Sequence, residues 1–132
     1  MKCRLAATFS GGGIDFPAFT IEQSDEELRQ FECPVGAGAA NEEFICAINR
    51  SLTKALYMVA DQPVVIKTNS SSSPADTITL AANQPFLFMA DAIPVTALTD
   101  HLTADVTAIF VTNGSETVAT VLKICALVDA IN

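Results

Sequence analysis

Residues 56–89 read LYMVADQPVVIKTNSSSSPADTITLAANQPFLFM, and this stretch decides the fold class. Short runs of aliphatic, β-branched and aromatic residues alternate here with turn residues at a spacing of about ten residues. Residues 77–80 alternate polar and apolar side chains, which is typical of a strand with one face toward solvent. The stretch therefore predicts strands and turns, with residues 77–80 and 85–89 as a hairpin-like pair.

The same pattern continues toward the C-terminus. Residues 106–112 form another β-branched run, and the dipeptide Asn113-Gly114 follows it. Asparagine and glycine adopt positive φ at little cost, so this dipeptide is a strong hairpin signal. The long apolar run at residues 118–128 comes next, and we predict that these two strands form a hairpin at the centre of the sheet.

The N-terminal third has a weaker pattern, with strands predicted at residues 3–9, 16–22, 31–33 and 43–48. Residues 24–30, SDEELRQ, have the form of a capped helical turn, and a polar hairpin loop fits them equally well. The whole chain, residues 1–132, is predicted to be all-β: a single-domain antiparallel β-sandwich, jelly-roll-like, with about eight strands and at most one short helix near residues 24–30.

Composition narrows the classes of partner. The chain has 132 residues, and 15 acidic side chains oppose 7 basic ones for a formal charge of −8. Such a charge argues against binding to nucleic acid or to anionic membranes. The apolar run at the N-terminus is too short for a secretory leader. The later apolar runs are interrupted by Thr, Lys or Pro, so none has the length of a membrane span. We expect a protein made in the cytoplasm that contacts neither nucleic acid nor membrane.

Catalytic groups are scarce. The chain has one histidine, His101, and the glycines at residues 11–13 lack the Lys-Ser/Thr of a phosphate-binding loop. No G-x-S-x-G nucleophile motif occurs. The acidic clusters at residues 25–27 and 42–43 are typical of a solvated surface. We predict that the protein is not an enzyme and uses no cofactor and no metal.

The four cysteines, at positions 3, 33, 46 and 125, have no C-x-x-C spacing, which disfavours zinc. Two interpretations stay open. All four are small buried hydrophobic residues, or a disulfide forms after release from the cell. Cys46 and Cys125 lie in apolar runs and are predicted core residues. Cys33 is a candidate partner for Cys3, and the sequence does not decide among the pairings.

Three phenylalanines, Phe16, Phe19 and Phe31, lie in the weakly patterned N-terminal third. In one interpretation they cover the sandwich as part of its core. In the other, residues 1–20 are an extended arm that carries Phe16 and Phe19 onto a neighbouring subunit, so that both are subunit-interface residues.

Residues 54–129 resemble small β-sandwich structural proteins of tailed-bacteriophage virions. The residues that carry the resemblance are KALY at 54–57, VIKTN at 65–69, TITLAA at 77–82, PF at 85–86, DVTAIFVTN at 105–113 and LVD at 127–129. The resemblance implies a virion structural component, most often an accessory protein attached to the head. It also implies that the protein is made in the host cytoplasm and located on the capsid exterior.

The main hypothesis is therefore a capsid decoration (cement) protein that oligomerises and binds the major capsid protein or another virion protein. One alternative is a tail or head-to-tail connector accessory protein. Another alternative is a carbohydrate-binding β-sandwich module. The chain lacks Trp and has one Tyr, which disfavours this last alternative because sugars usually stack on aromatic rings.

Overall fold

A computed structural model describes residues 2–7, 19–24, 27–89 and 102–128 of the chain. In these ranges the secondary structure is entirely β, as the spacing of apolar and turn residues predicts. The strands are β1 Lys2–Ala7, β2 Phe19–Ser24, β3 Glu27–Val35, β4 Glu42–Ile48, β5 Thr53–Val59, β6 Val64–Thr68, β7 Thr77–Leu80, β8 Phe86–Met89, β9 Val106–Asn113 and β10 Thr120–Val128.

Eight of these strands form two four-stranded antiparallel sheets. Sheet I has the order β3-β10-β5-β8 and sheet II the order β4-β9-β6-β7, whereas β1 and β2 pair with each other and with no other strand of the described ranges. Within the two sheets, β3 pairs with β10, β4 with β9, β5 with β8 and β6 with β7. Along the chain each of these pairs encloses the next, and this is the strand arrangement of a jelly roll. The predicted β-sandwich is thereby confirmed.

The core lies between the inner faces of the two sheets. The burial of β6 alternates along the strand, with Val64, Ile66 and Thr68 buried and the residues between them partly exposed. The corresponding inner positions of sheet I include Leu56 and Leu122, which are almost fully buried. Alternation of this kind is what a strand with one covered face requires.

The predicted hairpin at Asn113-Gly114 is wrong. β9 ends at Asn113 in sheet II and β10 begins at Thr120 in sheet I, so the two strands do not pair, although each holds an inner position of its sheet. Neither residue of the dipeptide has the positive φ that a two-residue hairpin turn needs. β7 and β8 also belong to different sheets, and among consecutive sandwich strands only β6 and β7 pair directly.

The short helix that is one alternative for residues 24–30 is absent where the structure describes that stretch. Ser24 ends β2, and β3 runs from Glu27 to Val35, while residues 25–26 lie outside the described residues. β3 pairs with β10 at every position from Glu27 to Val35. This long antiparallel pairing stabilises the extended backbone and overrides the local helix-capping signal.

Four connections meet at one end of the sandwich, which we call the loop end: β3–β4, β5–β6, β7–β8 and β9–β10. Backbone hydrogen bonds join them in pairs. The Gly38 N–H donates to the Ser115 carbonyl at 2.8 Å, and the Asn83 N–H donates to the Ala60 carbonyl at 2.7 Å. These bonds hold the four connections close together at this end.

The opposite end, which we call the distal end, is held by side-chain bonds. Arg50 donates its backbone N–H to Asp105 Oδ1 at 3.0 Å and its Nη1 to the Leu102 carbonyl at 2.9 Å. Asn69 Nδ2 donates to the Asp105 carbonyl at 2.8 Å. The serine-rich β6–β7 connection is thereby anchored to the segment that precedes β9.

Candidate functional site

The outer face of sheet I, which points away from sheet II, is mostly apolar. Strand register places its residues in rows, because directly paired residues share a face. We call this surface the docking face, and its described residues are Leu28, Gln30, Glu32 and Pro34 on β3, Val121, Lys123, Cys125 and Leu127 on β10, Ala55, Tyr57 and Val59 on β5, and Leu87 on β8. Most of these side chains are apolar, and the polar members lie mainly along the β3 edge.

Exposure of the docking face increases from the distal end toward the loop end. Leu127 is 0% exposed and Ala55 is 5% exposed. Tyr57, Leu87 and Val121, which lie closer to the loop end, are 41%, 43% and 38% exposed. Large apolar side chains that remain exposed together on one face are typical of an interaction surface.

A cleft of about 540 Å³ opens where the docking face reaches the loop end. Its apolar lining includes Pro34, Val59 and Val121, and its polar lining includes Asp61 and Lys123. This size falls within the usual range of ligand pockets, which are mostly apolar with a few polar groups. The cleft is suited to receive an apolar side chain or a small ligand from a partner.

The polar groups Asp61, Thr120 and Lys123 of the cleft come from β10 and from the connection that follows β5. Thr120 donates its hydroxyl proton to Asp61 Oδ1, which ties the start of β10 to the β5–β6 connection. Lys123 is exposed and lies in register between Glu32 and Val59. The cleft thus combines one cation with a carboxylate that is already hydrogen-bonded, an arrangement suited to recognition of a polar group.

Asn113 holds the loop end in place. Its side chain is buried, and Nδ2 donates to the carbonyls of Val118 at 2.9 Å and Gly36 at 3.2 Å, with a longer contact of 3.5 Å to Val35. Its Oδ1 accepts from the Ser115 N–H at 2.9 Å. One side chain from sheet II therefore satisfies backbone groups at the end of β3 and before the start of β10.

Gly114 lies where two connections of the loop end approach each other closely. A Cβ atom on Gly114 would lie 3.0 Å from the Pro63 carbonyl oxygen and 3.1 Å from Pro63 Cβ. The Gly114 N–H also donates to that carbonyl at 2.7 Å. The Asn-Gly dipeptide therefore permits a close contact between two connections.

We expect Gly114→Ala to lower the free energy of unfolding by about 1–3 kcal/mol, because the added methyl group overpacks the contact with Pro63. Urea denaturation of the variant and of Gly36→Ala measures the effect. Gly36 is the matched control because a Cβ there meets no atom within 4 Å. Equal stability of the two variants would contradict the close contact.

Cys33 and Cys46 are buried in the core between the sheets, as predicted for Cys46. Burial raises the pKa of the Cys33 thiol to about 11. Burial, and then the charge of Cys33, raise the pKa of the Cys46 thiol to about 12. Since the thiolate is the reactive form, both groups are poor nucleophiles. The prediction that Cys125 is a core residue is wrong, because Cys125 is partly buried and lies on the docking face.

The Cys3–Cys33 disulfide stays a prediction. Cys33 carries a free thiol in the structure, and Cys3 lies on β1 opposite Gln23, where the side chains are not described. The inner-face position of Cys33 means that such a bond would have to reach the core between the sheets.

The two predicted interface residues lie in or near the N-terminal hairpin. Phe19 is the first residue of β2 and pairs with Ala7 of β1, whereas Phe16 lies outside the described residues. Phe31 packs against the core as a partly buried side chain. Contact of Phe16 and Phe19 with a neighbouring subunit stays a prediction.

The remaining candidates for chemistry are dispersed. Glu42 and Glu43 are exposed at the start of β4, and His101 lies outside the described residues. Within the described ranges, no cluster of three or more His, Cys, Asp or Glu side chains is arranged to hold a metal ion. The same ranges contain no helix long and apolar enough to cross a membrane.

The docking face was missed in the sequence analysis, although β10 carries a signal for it. The inner residues Leu122, Ile124 and Ala126 are buried, and outward positions of the same strand are Val121 and Leu127. A strand that is apolar on both faces is typical of a sheet covered on both sides. The run at residues 118–128 thus indicates a second contact surface in addition to the core.

Fold and surface together define a jelly-roll β-sandwich with an apolar outer face on one sheet and a cleft at its loop end. Comparison of the chain with protein-family models, with curated proteins and with solved structures finds no match.

Proposed function

We propose that the protein is a non-enzymatic virion structural protein of a tailed bacteriophage, namely a capsid decoration (cement) protein on the outside of the major capsid lattice. The observation that carries the proposal is the docking face, where Tyr57, Leu87 and Val121 remain exposed on an otherwise folded sheet. Jelly rolls are a recurrent architecture of viral capsid domains, which supports this class. The resemblance of residues 54–129 to phage virion proteins supports it further.

The docking face has the composition of a protein interface. Its exposed apolar residues lie beside Gln30, Glu32 and Lys123, which are exposed polar residues able to form a hydrated rim. A stable interface buries about 800 Å² on each partner. Many weak contacts on a capsid lattice add through avidity when the protein is oligomeric. The docking face therefore binds the major capsid protein or another virion protein.

One observation favours a second candidate function, a carbohydrate-binding module. Tyr57 is the only tyrosine of the chain, and it is exposed on the docking face next to Cys125 and in line with Gln30. An exposed aromatic ring beside an amide is suited to stacking on a sugar. Binding to a glycan array that is lost in Tyr57→Ala would favour this second function.

The decisive experiment mixes the purified protein with capsids of the cognate phage that lack it, and counts the copies bound per particle by cryo-electron microscopy. Hundreds of copies at symmetry-related lattice positions support decoration. A ring at a single vertex would instead support the tail or head-to-tail connector alternative. Absence of binding would contradict both virion functions.

We expect Leu87→Asp to weaken capsid binding by roughly 30-fold or more, because a charge buried against the exposed apolar part of the docking face costs about 2 kcal/mol or more. Thr79→Asp is the matched control, since Thr79 is an exposed strand residue of sheet II. Sedimentation of labelled protein with capsids measures both affinities, and urea denaturation confirms that both variants are folded. Equal binding by the two variants would exclude the docking face as the contact.

A further inference from the structure

Part of the docking face is already covered. Leu127 and Ala55 are directly paired on the outer face of sheet I, yet they are 0% and 5% exposed. Neither belongs to the cluster of buried residues between the two sheets. Another segment of the chain must therefore lie over the distal half of the docking face.

The connection between β2 and β3 limits where the N-terminal hairpin lies. β2 ends at Ser24 and β3 begins at Glu27, so the two ends are joined by three Cα–Cα steps of about 3.8 Å, a reach of roughly 11 Å. Stacked sheets lie about 10 Å apart. The end of β2 therefore lies at the distal end of β3, no farther away than an adjacent layer.

A hairpin that packs against sheet I at the start of β3 has three positions open to it, and two of them are excluded. Among the described strands β2 pairs with β1 alone, so the hairpin does not extend sheet I beyond the outer edge of β3. The inner side of β3 faces the core and sheet II, as the burial of Cys33 and Val35 shows. The outer side remains, where Leu28 of β3 lies in register with Leu127.

The register of the hairpin gives it two unlike faces. Leu5 pairs with Ile21 and Ala7 with Phe19, so these four apolar residues share one face. On the other face, Arg4 pairs with Glu22, and Lys2 and Thr20 occupy neighbouring rows. A two-stranded sheet is only marginally stable alone and needs its apolar face covered.

We propose that the β1–β2 hairpin forms a third layer, with its apolar face on the distal half of the docking face, over Leu28, Leu127 and Ala55 of the same chain. Each six-residue strand is roughly 20 Å long, enough to cover this half of a four-stranded sheet along the strand direction. The hairpin thereby restricts partner binding to the half that holds Tyr57, Leu87 and the cleft.

The test compares Ile21→Asp with Thr20→Asp in the full-length chain. The two positions are adjacent on β2 but lie on opposite faces of the hairpin. Hydroxyl-radical footprinting with mass spectrometry measures the oxidation of Leu127. We expect oxidation of Leu127 to rise several-fold in Ile21→Asp and to stay at the wild-type level in Thr20→Asp. Continued protection of Leu127 in Ile21→Asp would overturn the proposal.

Two further measurements separate the proposal from unfolding and from exchange between copies. Leu122, which is buried on the inner face of the same strand, must remain protected from oxidation. If Leu122 becomes oxidised in Ile21→Asp, the milder variant Ile21→Ser is used in its place. Protection of Leu127 that disappears on dilution to monomer would show cover by a neighbouring copy and would overturn packing within one chain. A Cys3–Cys33 disulfide in a non-reducing peptide map would also overturn it, because Cys33 faces the opposite side of sheet I.

Discussion

Raising the pH from 9 to 11 is expected to lower the free energy of unfolding by up to about 3 kcal/mol per pH unit, through two buried thiols. Cys33 and Cys46 have pKa values of about 11 and about 12 in the folded protein, against 9.0 for an unperturbed thiol. Burial is the main cause for both. The folded state therefore retains two protons that the unfolded state releases above pH 9.

The sign follows from the direction of the shifts. A pKa that is raised on folding contributes stability that is fully present below the unfolded pKa and is lost as the pH rises through the folded pKa. The loss should begin near pH 9 and continue to about pH 11–12, the folded pKa values of Cys33 and Cys46. Urea denaturation at half-unit pH intervals measures this profile.

The double variant Cys33→Ala/Cys46→Ala is the control, because lysine and tyrosine side chains titrate in the same range. Its profile should be much flatter above pH 9, although its stability at neutral pH is lower through the loss of two buried sulfur atoms. Parallel profiles for the variant and the wild type would show that the two thiols do not titrate in this way.

The existence of most strands could be predicted from sequence, whereas their pairing could not. The period of apolar residues is local, and it locates strands such as Val64–Thr68 and Thr77–Leu80 to within about a residue. Pairing depends on residues far apart in the chain. Asn113-Gly114 illustrates this, because its dipeptide has a strong local preference, but the turn it makes is set by Pro63 and by the carbonyls that Asn113 binds.

The candidate surface was harder to predict than the fold. Its exposed members, Tyr57, Leu87 and Val121, come from three strands that become neighbours only in sheet I. Within its own strand each of them gives no signal of an interface, because single apolar residues are common on protein surfaces. The prediction of Phe16 and Phe19 as interface residues depends on the weak apolar periodicity of the surrounding segment. Weak periodicity does not identify the face of a strand on which a residue lies.

Asn113→Asp is expected to lower the free energy of unfolding at neutral pH by about 3–5 kcal/mol, because it buries a charge without a compensating partner. Asn113 Nδ2 donates toward the carbonyls of Val35, Gly36 and Val118, and a carboxylate oxygen in its place would face carbonyl oxygens instead of donating to them. Asn113→Ala removes the same bonds without adding charge, so we expect a smaller loss of about 1–3 kcal/mol. Chemical denaturation at pH 7 measures both.

The pH dependence separates the buried charge from the loss of the bonds. Desolvation raises the pKa of a carboxyl group introduced at position 113, so its cost is present above that raised pKa and is relieved as the pH falls through it. Asn113→Asp should therefore approach Asn113→Ala in stability under acidic conditions. Asn83→Asp, the same change at an exposed loop-end residue whose positive φ both residue types tolerate, should alter stability by less than about 1 kcal/mol. If Asn113→Asp were as stable as Asn83→Asp at pH 7, the side chain of Asn113 would not be what joins β3 and β10 at the loop end, and the cleft between them would need another support.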